Sequence, residues 1–139
     1  MMRLLRACKD DRGVAAIEFA LLLPIMVGLV VLGLDGWLRI NQVSQMNSAL
    51  QTGARYYQGG GSDDPTAAQL ALQSWSSPPA DANVAAARSC TCAGAGADCA
   101  SQCPGNVLPN VYVTMTATGT FSSVFHQQSL TESGVVRLR

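Results

Sequence analysis

From Val14 to Leu34 the chain is almost unbroken hydrocarbon, with one ionisable side chain, Glu18, near the start of the run. As a helix these 21 residues rise roughly 30 Å, about the thickness of a bilayer's hydrocarbon core. A core helix of a soluble domain would carry a polar stripe at 3.6-residue spacing, and this segment carries none. It reads as a membrane span in contact with lipid. A carboxylate in hydrocarbon costs roughly 2.5–3.5 kcal/mol at a helix centre and less near an end, so Glu18 needs a partner.

The flanks set the orientation. Arg3, Arg6, Lys9 and Arg12 crowd the leader, against Asp10 and Asp11, while few positive charges follow the run directly. That bias places the N-terminus in the cytoplasm and the rest of the chain across the membrane. An ordinary secretory signal is the rival reading. Its apolar region would be shorter and followed by a small-x-small cleavage site, whereas here Gly33-Leu34-Asp35-Gly36-Trp37 follows. Pro24 removes one ladder hydrogen bond and is expected to kink the helix locally. Trp37 falls where an indole suits the headgroup zone, and Arg39 can snorkel beside it.

Past the span the helix is expected to continue into water to about Tyr57. Val43, Met46, Leu50, Ala54 and Tyr57 recur at helical spacing, Gln42, Gln45, Ser48 and Gln51 take the other faces, and Gly59-Gly60-Gly61 ends the rod. Asp64-Pro65 reads as an N-cap with proline at the first helical position, opening a short helix through Leu70, Leu72 and Trp75 that Ser76-Ser77-Pro78-Pro79 closes. Trp75 is expected to anchor the core. Residues 84–92 are a candidate strand. Between Asn110 and Phe121, Val111, Val113, Met115 and Ala117 alternate with Tyr112, Thr114, Thr116 and Thr118, the period of a half-buried strand. Residues 130–138 alternate likewise, so the chain is expected to end in a hairpin closed across 122–129, one face of it covered by the stripe on the rod.

The topology sorts the cysteines. Cys8 lies in the cytoplasmic leader, while Cys90, Cys92, Cys99 and Cys103 sit together on the exported side. An even set in an oxidising compartment reads as two disulfides. Direct pairing of Cys90 with Cys92 would be strained, so links between the two pairs are favoured, nested or crossed. A zinc tetrathiolate is the competing reading, but Cys-x-Cys followed by Cys-x3-Cys is not its usual spacing.

The other chemistries find no constellation. His126 is the only histidine and lies in a Ser/Gln-rich connection; no nucleophile elbow, phosphate-cradling glycine loop or metal-spaced His/Asp/Glu cluster occurs. No cofactor, no metal and no enzymatic activity are expected. With formal net charge zero and the signs nearly balanced beyond the span, no basic face suits nucleic acid.

The junction itself is more specific. A basic leader ending in Gly13, four small or apolar residues and then Glu18-Phe19 resembles the class III signal of type IV pilins. The run from Ala15 to Pro24 and the segment Gln51-Thr52-Gly53-Ala54-Arg55 are similar to the first helix of TadE-like pseudopilins of the tight-adherence (Tad/Flp) pilus system. The close resemblance covers about residues 12–57; the head matches in outline, by its paired cysteines ahead of a terminal β-region. Glu-Phe where major Flp pilins have Glu-Tyr, and the greater length, favour an accessory subunit over the bulk filament protein.

The resemblance implies that a prepilin peptidase cuts between Gly13 and Val14 and leaves the apolar helix in place. It implies that Glu18 then meets the freed Val14 amine of a neighbouring subunit. Phe19, Ala16, Ala20 and Pro24 belong to the same assembly segment, with Ala16 and Ala20 permitting close helix approach. The expected partners are the peptidase, other pilins or pseudopilins, the inner-membrane assembly machinery and membrane lipid. The expected organisation is a cleaved leader at 1–13, a transmembrane helix at 14–34, its soluble extension at 35–57 and a disulfide-braced head at 58–139. The fold class is α+β and pilin-like, a long helix packed on a small antiparallel sheet with one short helix. The alternative function is an unprocessed, signal-anchored periplasmic scaffold or binding protein, which would need neither Gly13 nor Glu18.

Overall fold

The computed structural model describes residues 11–123 and 127–139, with side chains described from residue 16 onward. The leader through residue 10, with Cys8, and the loop residue His126 lie outside the described residues. The elements are α1 (Asp11–Gln58), α2 (Asp64–Ser74), β1 (Asn83–Cys92), β2 (Ala95–Ala97), β3 (Asn110–Ser122) and β4 (Gln127–Arg137). The fold is α+β, and the chain divides into two compact units at Leu38/Arg39.

The first unit holds the apolar part of α1. The helix runs through Pro24 without a break in its helical assignment. Its most apolar 18-residue window has a mean hydropathy of 2.5, none of it buried within the protein. By length and composition α1 is therefore able to cross a membrane, and it needs an apolar surrounding to cover side chains such as Ile17, Leu21 and Leu29, each at least 60% exposed.

In the second unit the rest of α1 is amphipathic. Met46, Ala49, Leu50 and Tyr57 are buried, and Val43 packs against them half-buried. The stripe read from the sequence is present with one change: Gly53 is buried in its line, and Ala54 turns partly outward. Gly53 lies close against its neighbours. A Cβ there would overlap the Met115 methyl and lie 3.1 Å from the Ala67 carbonyl oxygen, so this glycine lets α1 approach both β3 and α2. The helix ends in a Schellman arrangement. Gly61 N–H donates to the Tyr56 carbonyl and Gly60 N–H to the Tyr57 carbonyl, with Gly60 at φ +92°, a conformation that favours glycine.

The short helix begins one residue earlier than its sequence signal suggested. Asp63, not Asp64, is the N-cap of α2, its carboxylate accepting from the Thr66 backbone N–H at 2.9 Å and from the Thr66 hydroxyl. These two bonds, the hydroxyl's first, hold the Asp63 carboxyl below the usual carboxylate range. Pro65 sits within the first turn either way, since an N–H without an intrahelical partner is no loss there. The shift leaves Asp64 available for other contacts.

The four strands form one antiparallel sheet in the order β2-β1-β3-β4. The candidate strands of the sequence appear as β1, β3 and β4, with β4 starting at Gln127 rather than Leu130. The register sets Val84 beside Ala117 and Ala117 beside Glu132, and likewise Ala86, Met115 and Gly134, so these positions share one face. That face carries the core: Val84, Val113, Met115, Ala117 and Leu130 are buried with the α1 stripe and with Ala67, Ala71 and Trp75 of α2. The opposite face shows Thr114, Thr116 and Thr118, with Val135 65% exposed beside them.

The three-residue strand β2 has no sequence signal. Its Ala-Gly-Ala composition is poor for a strand, and covalent links hold it. Cys90 pairs with Cys99 and Cys92 with Cys103, at Cα separations of 5.1 and 5.6 Å. The connectivity is the crossed one of the two left open by the sequence. The four sulfurs pair as the two disulfides expected for an exported head.

Candidate functional site

The assembly segment predicted from the sequence lies along the first turns of α1. Gly13 and Val14 fall within the helical backbone. Glu18 is an exposed residue, as are Ala16, Phe19, Ala20 and Pro24, with Phe19 65% exposed. Helical periodicity sets Ala16, Ala20 and Pro24 one above another in steps of four, while Leu21 and Leu22 stand over Glu18. The carboxylate is thus carried on a helix whose neighbouring side chains are hydrocarbon. Val14 precedes Glu18 by four residues, about 6 Å along the helix axis.

The second unit contains one well-knit polar cluster. Tyr57 at the end of the α1 stripe donates its hydroxyl to Asp64 at 2.9 Å. Arg88 of β1 donates from Nη2 to the same carboxylate oxygen at 2.7 Å and to the Ser62 carbonyl at 2.7 Å. One carboxylate therefore ties the end of α1, the start of α2 and the middle of β1. Burial, then the hydrogen bond to Asp64 and that residue's charge, push the Tyr57 phenol up from 10.0 to about 12. The Asp64 carboxylate likewise raises the Arg88 guanidinium above its ordinary value. Sequence reading did not single out this cluster, because its members are 7 and 24 residues apart and each alone resembles a surface residue. The misplaced N-cap hid it further.

At the other end of α2, Trp75 is 3% exposed and its ring lies 6.2 Å from that of Phe121, the anchoring role expected for it. Asp81 accepts from the Thr120 backbone N–H at 3.0 Å, which holds its carboxyl below the usual range and ties the approach to β1 onto β3. These groups brace the fold. Among the described residues no three His, Cys, Asp or Glu side chains are grouped as metal ligands would be.

Compared with known families, residues 13–55 match the model of the TadE-like protein family. The match runs from Gly13, across Glu18 and the apolar run, to Arg55 beyond the buried Gly53, the same stretch that carries the resemblance in the sequence. It covers less than a third of the chain and leaves the sheet outside. No curated protein matches the chain, and neither does any solved structure.

Proposed function

We propose that this chain is a minor pseudopilin. It inserts N-in/C-out in a bacterial inner membrane with a periplasmic head and loses residues 1–13 to a prepilin peptidase. It then takes part in assembling or priming a Tad/Flp-type pilus used for surface adhesion. The observation that carries the reading is a spacing: Gly13 and Glu18 stand five residues apart at the start of a membrane-length helix, inside the segment that matches the TadE-like family.

The physical chemistry gives that spacing a purpose. Cutting after Gly13 creates an α-amine on Val14, positively charged at neutral pH. The carboxylate of Glu18 on one subunit then meets the amine of its neighbour, and two costly charges in an apolar surrounding become one pair. Small residues at Ala16 and Ala20 let the helices come close enough for it. The head needs no catalytic group for this work; it needs rigidity, which the crossed disulfides and the Tyr57–Asp64–Arg88 cluster supply.

Two substitutions test the reading in the native host. Gly13→Leu is expected to block processing, leaving the protein at its full mass. Glu18→Ala is expected to permit processing and to abolish or strongly reduce piliation. Normal piliation with Glu18→Ala would refute the charge pair. An unprocessed anchored scaffold, the alternative reading, predicts that neither substitution changes mass or function.

A further inference from the structure

The outer edge of β4 has no ladder partner among the described residues, since the sheet order ends there. Alternate residues of an edge strand turn their N–H and C=O groups away from the sheet, where another extended chain can pair with them. Proteins usually guard such an edge with lysine, proline or a bulge. β4 holds no lysine and no proline, and its register with β3 runs unbroken from Ser122↔Gln127 to Tyr112↔Arg137.

Between α1 and β4 lies a partly open cavity of about 180 Å³. Leu50, Met115 and Val136 line it, the Asn47 and Gln51 amides border it, and no charged side chain does. Its floor on β4 is Gly134, which stands opposite Met115 on the helix-covered face. Neither a positive φ nor a crowded neighbour calls for glycine at this position, because a Cβ there would meet nothing within 4 Å. Glycine inside a strand weakens it, and often marks a place where a ligand or another chain comes close. An apolar cavity of about 150 Å³ takes a benzene molecule, so this one has room for a leucine-sized side chain. Two residues along the same face is Glu132, opposite Ala117, and among the described residues no ion pair reaches it.

We propose that β4 takes an extended segment of another protein as an added strand, with an aliphatic side chain of that segment set over Gly134 and a lysine or arginine two residues away beside Glu132. The row of backbone donors and acceptors asks for a peptide, the cavity for hydrocarbon and Glu132 for a cation. In strand addition the main chain supplies affinity and the alternate side chains supply specificity. Residues two apart share a face, so the same pattern serves either strand direction. A second copy of this chain fits poorly. Of its other open edges, β2 carries no cation, and β1 is open only over Asn83–Ser89 because β2 covers Cys90, Thr91 and Cys92. With Arg88 beside Glu132, the residue over Gly134 would be Ala86, too small to fill the cavity, or Cys90, which β2 already covers. The contact lies wholly within the second unit, so it is independent of leader cleavage and of membrane insertion.

Fluorescence anisotropy of a labelled synthetic peptide tests this on the full-length protein in detergent micelles. In the peptide, threonines alternate with valine, lysine, leucine and valine. Saturable binding is expected. Replacing the peptide's leucine by asparagine, or its lysine by glutamate, is expected to weaken binding about tenfold or more. Glu132→Lys in the protein should reverse the preference between the lysine and glutamate peptides. Gly134→Val should fill the cavity and weaken binding about tenfold. Its thermal unfolding midpoint should stay level or rise, since nothing crowds a Cβ there and valine suits a strand. The proposal is overturned by the absence of saturable binding, by equal binding of the peptides, by undiminished binding to Gly134→Val, or by self-association of the chain that excludes the peptide. Should Gly134→Val fail to fold, the reversal with Glu132→Lys decides alone.

Discussion

Replacing Gly53 with alanine pits two effects of known size against each other. On an exposed helix the change would stabilise by about 1 kcal/mol, the difference in propensity. Here the new methyl would overlap the Met115 methyl, lie 2.8 Å from its sulfur and sit 3.1 Å from the Ala67 carbonyl oxygen. Met115 is 1% exposed, and overpacking of this kind costs about 1–3 kcal/mol. The net expectation is destabilisation by up to about 2 kcal/mol. Met115→Val removes the sulfur and methyl that the alanine would strike, at its own cost of about 1–3 kcal/mol for the space left. In that background Gly53→Ala should become neutral or stabilising, a coupling of about 1–3 kcal/mol. Urea unfolding of the detergent-solubilised protein, followed by Trp75 fluorescence in a Trp37→Phe background, measures all four corners of the cycle. If Gly53→Ala alone stabilises by the full propensity difference, the close approach of α1 to β3 and α2 is wrong.

Two further outcomes follow from the head. Tyr57 is held protonated by burial and by its bond to Asp64, so its folded-state pKa of about 12 lies above the value of 10.0 in an unfolded chain. Its stabilising contribution is complete below pH 10 and is lost as pH rises through about 12; absorbance titration should show a phenol transition near that pH which Tyr57→Phe removes. Peptide mapping after partial reduction should recover Cys90 linked to Cys99 and Cys92 to Cys103. Replacing both cysteines of either bridge by serine should lower stability by about 2–3 kcal/mol, the loop-closure contribution expected for such short loops; a nested pattern would refute the crossed one.

Much of this fold was legible because strong periodicities announce themselves. The stripe through Met46, Leu50 and Tyr57 and the alternation from Val111 to Ala117 each repeat one pattern over several turns or pleats, and packing obeyed them. Gly53 was visible only as part of a motif, since its reason for being glycine lies in Met115, 62 positions away in sequence. Asp63 and Asp64 are chemically equivalent as caps; which of them caps depends on Arg88 and Tyr57 claiming the other. β2 could not be read at all, because two crossed disulfides, not backbone preference, hold Ala-Gly-Ala against β1. The start of α1 differs in that its information is local, in the order Gly13, Val14, Glu18, Phe19, and it lies within the residues that match the TadE-like family model.

Mass spectrometry of the native protein extracted from membranes tests the central claim most directly. Val14 at the N-terminus, with or without an added methyl group, is the predicted result. A mature, functioning chain that still begins at Met1 would contradict it, because Glu18 would then have no new amine to meet.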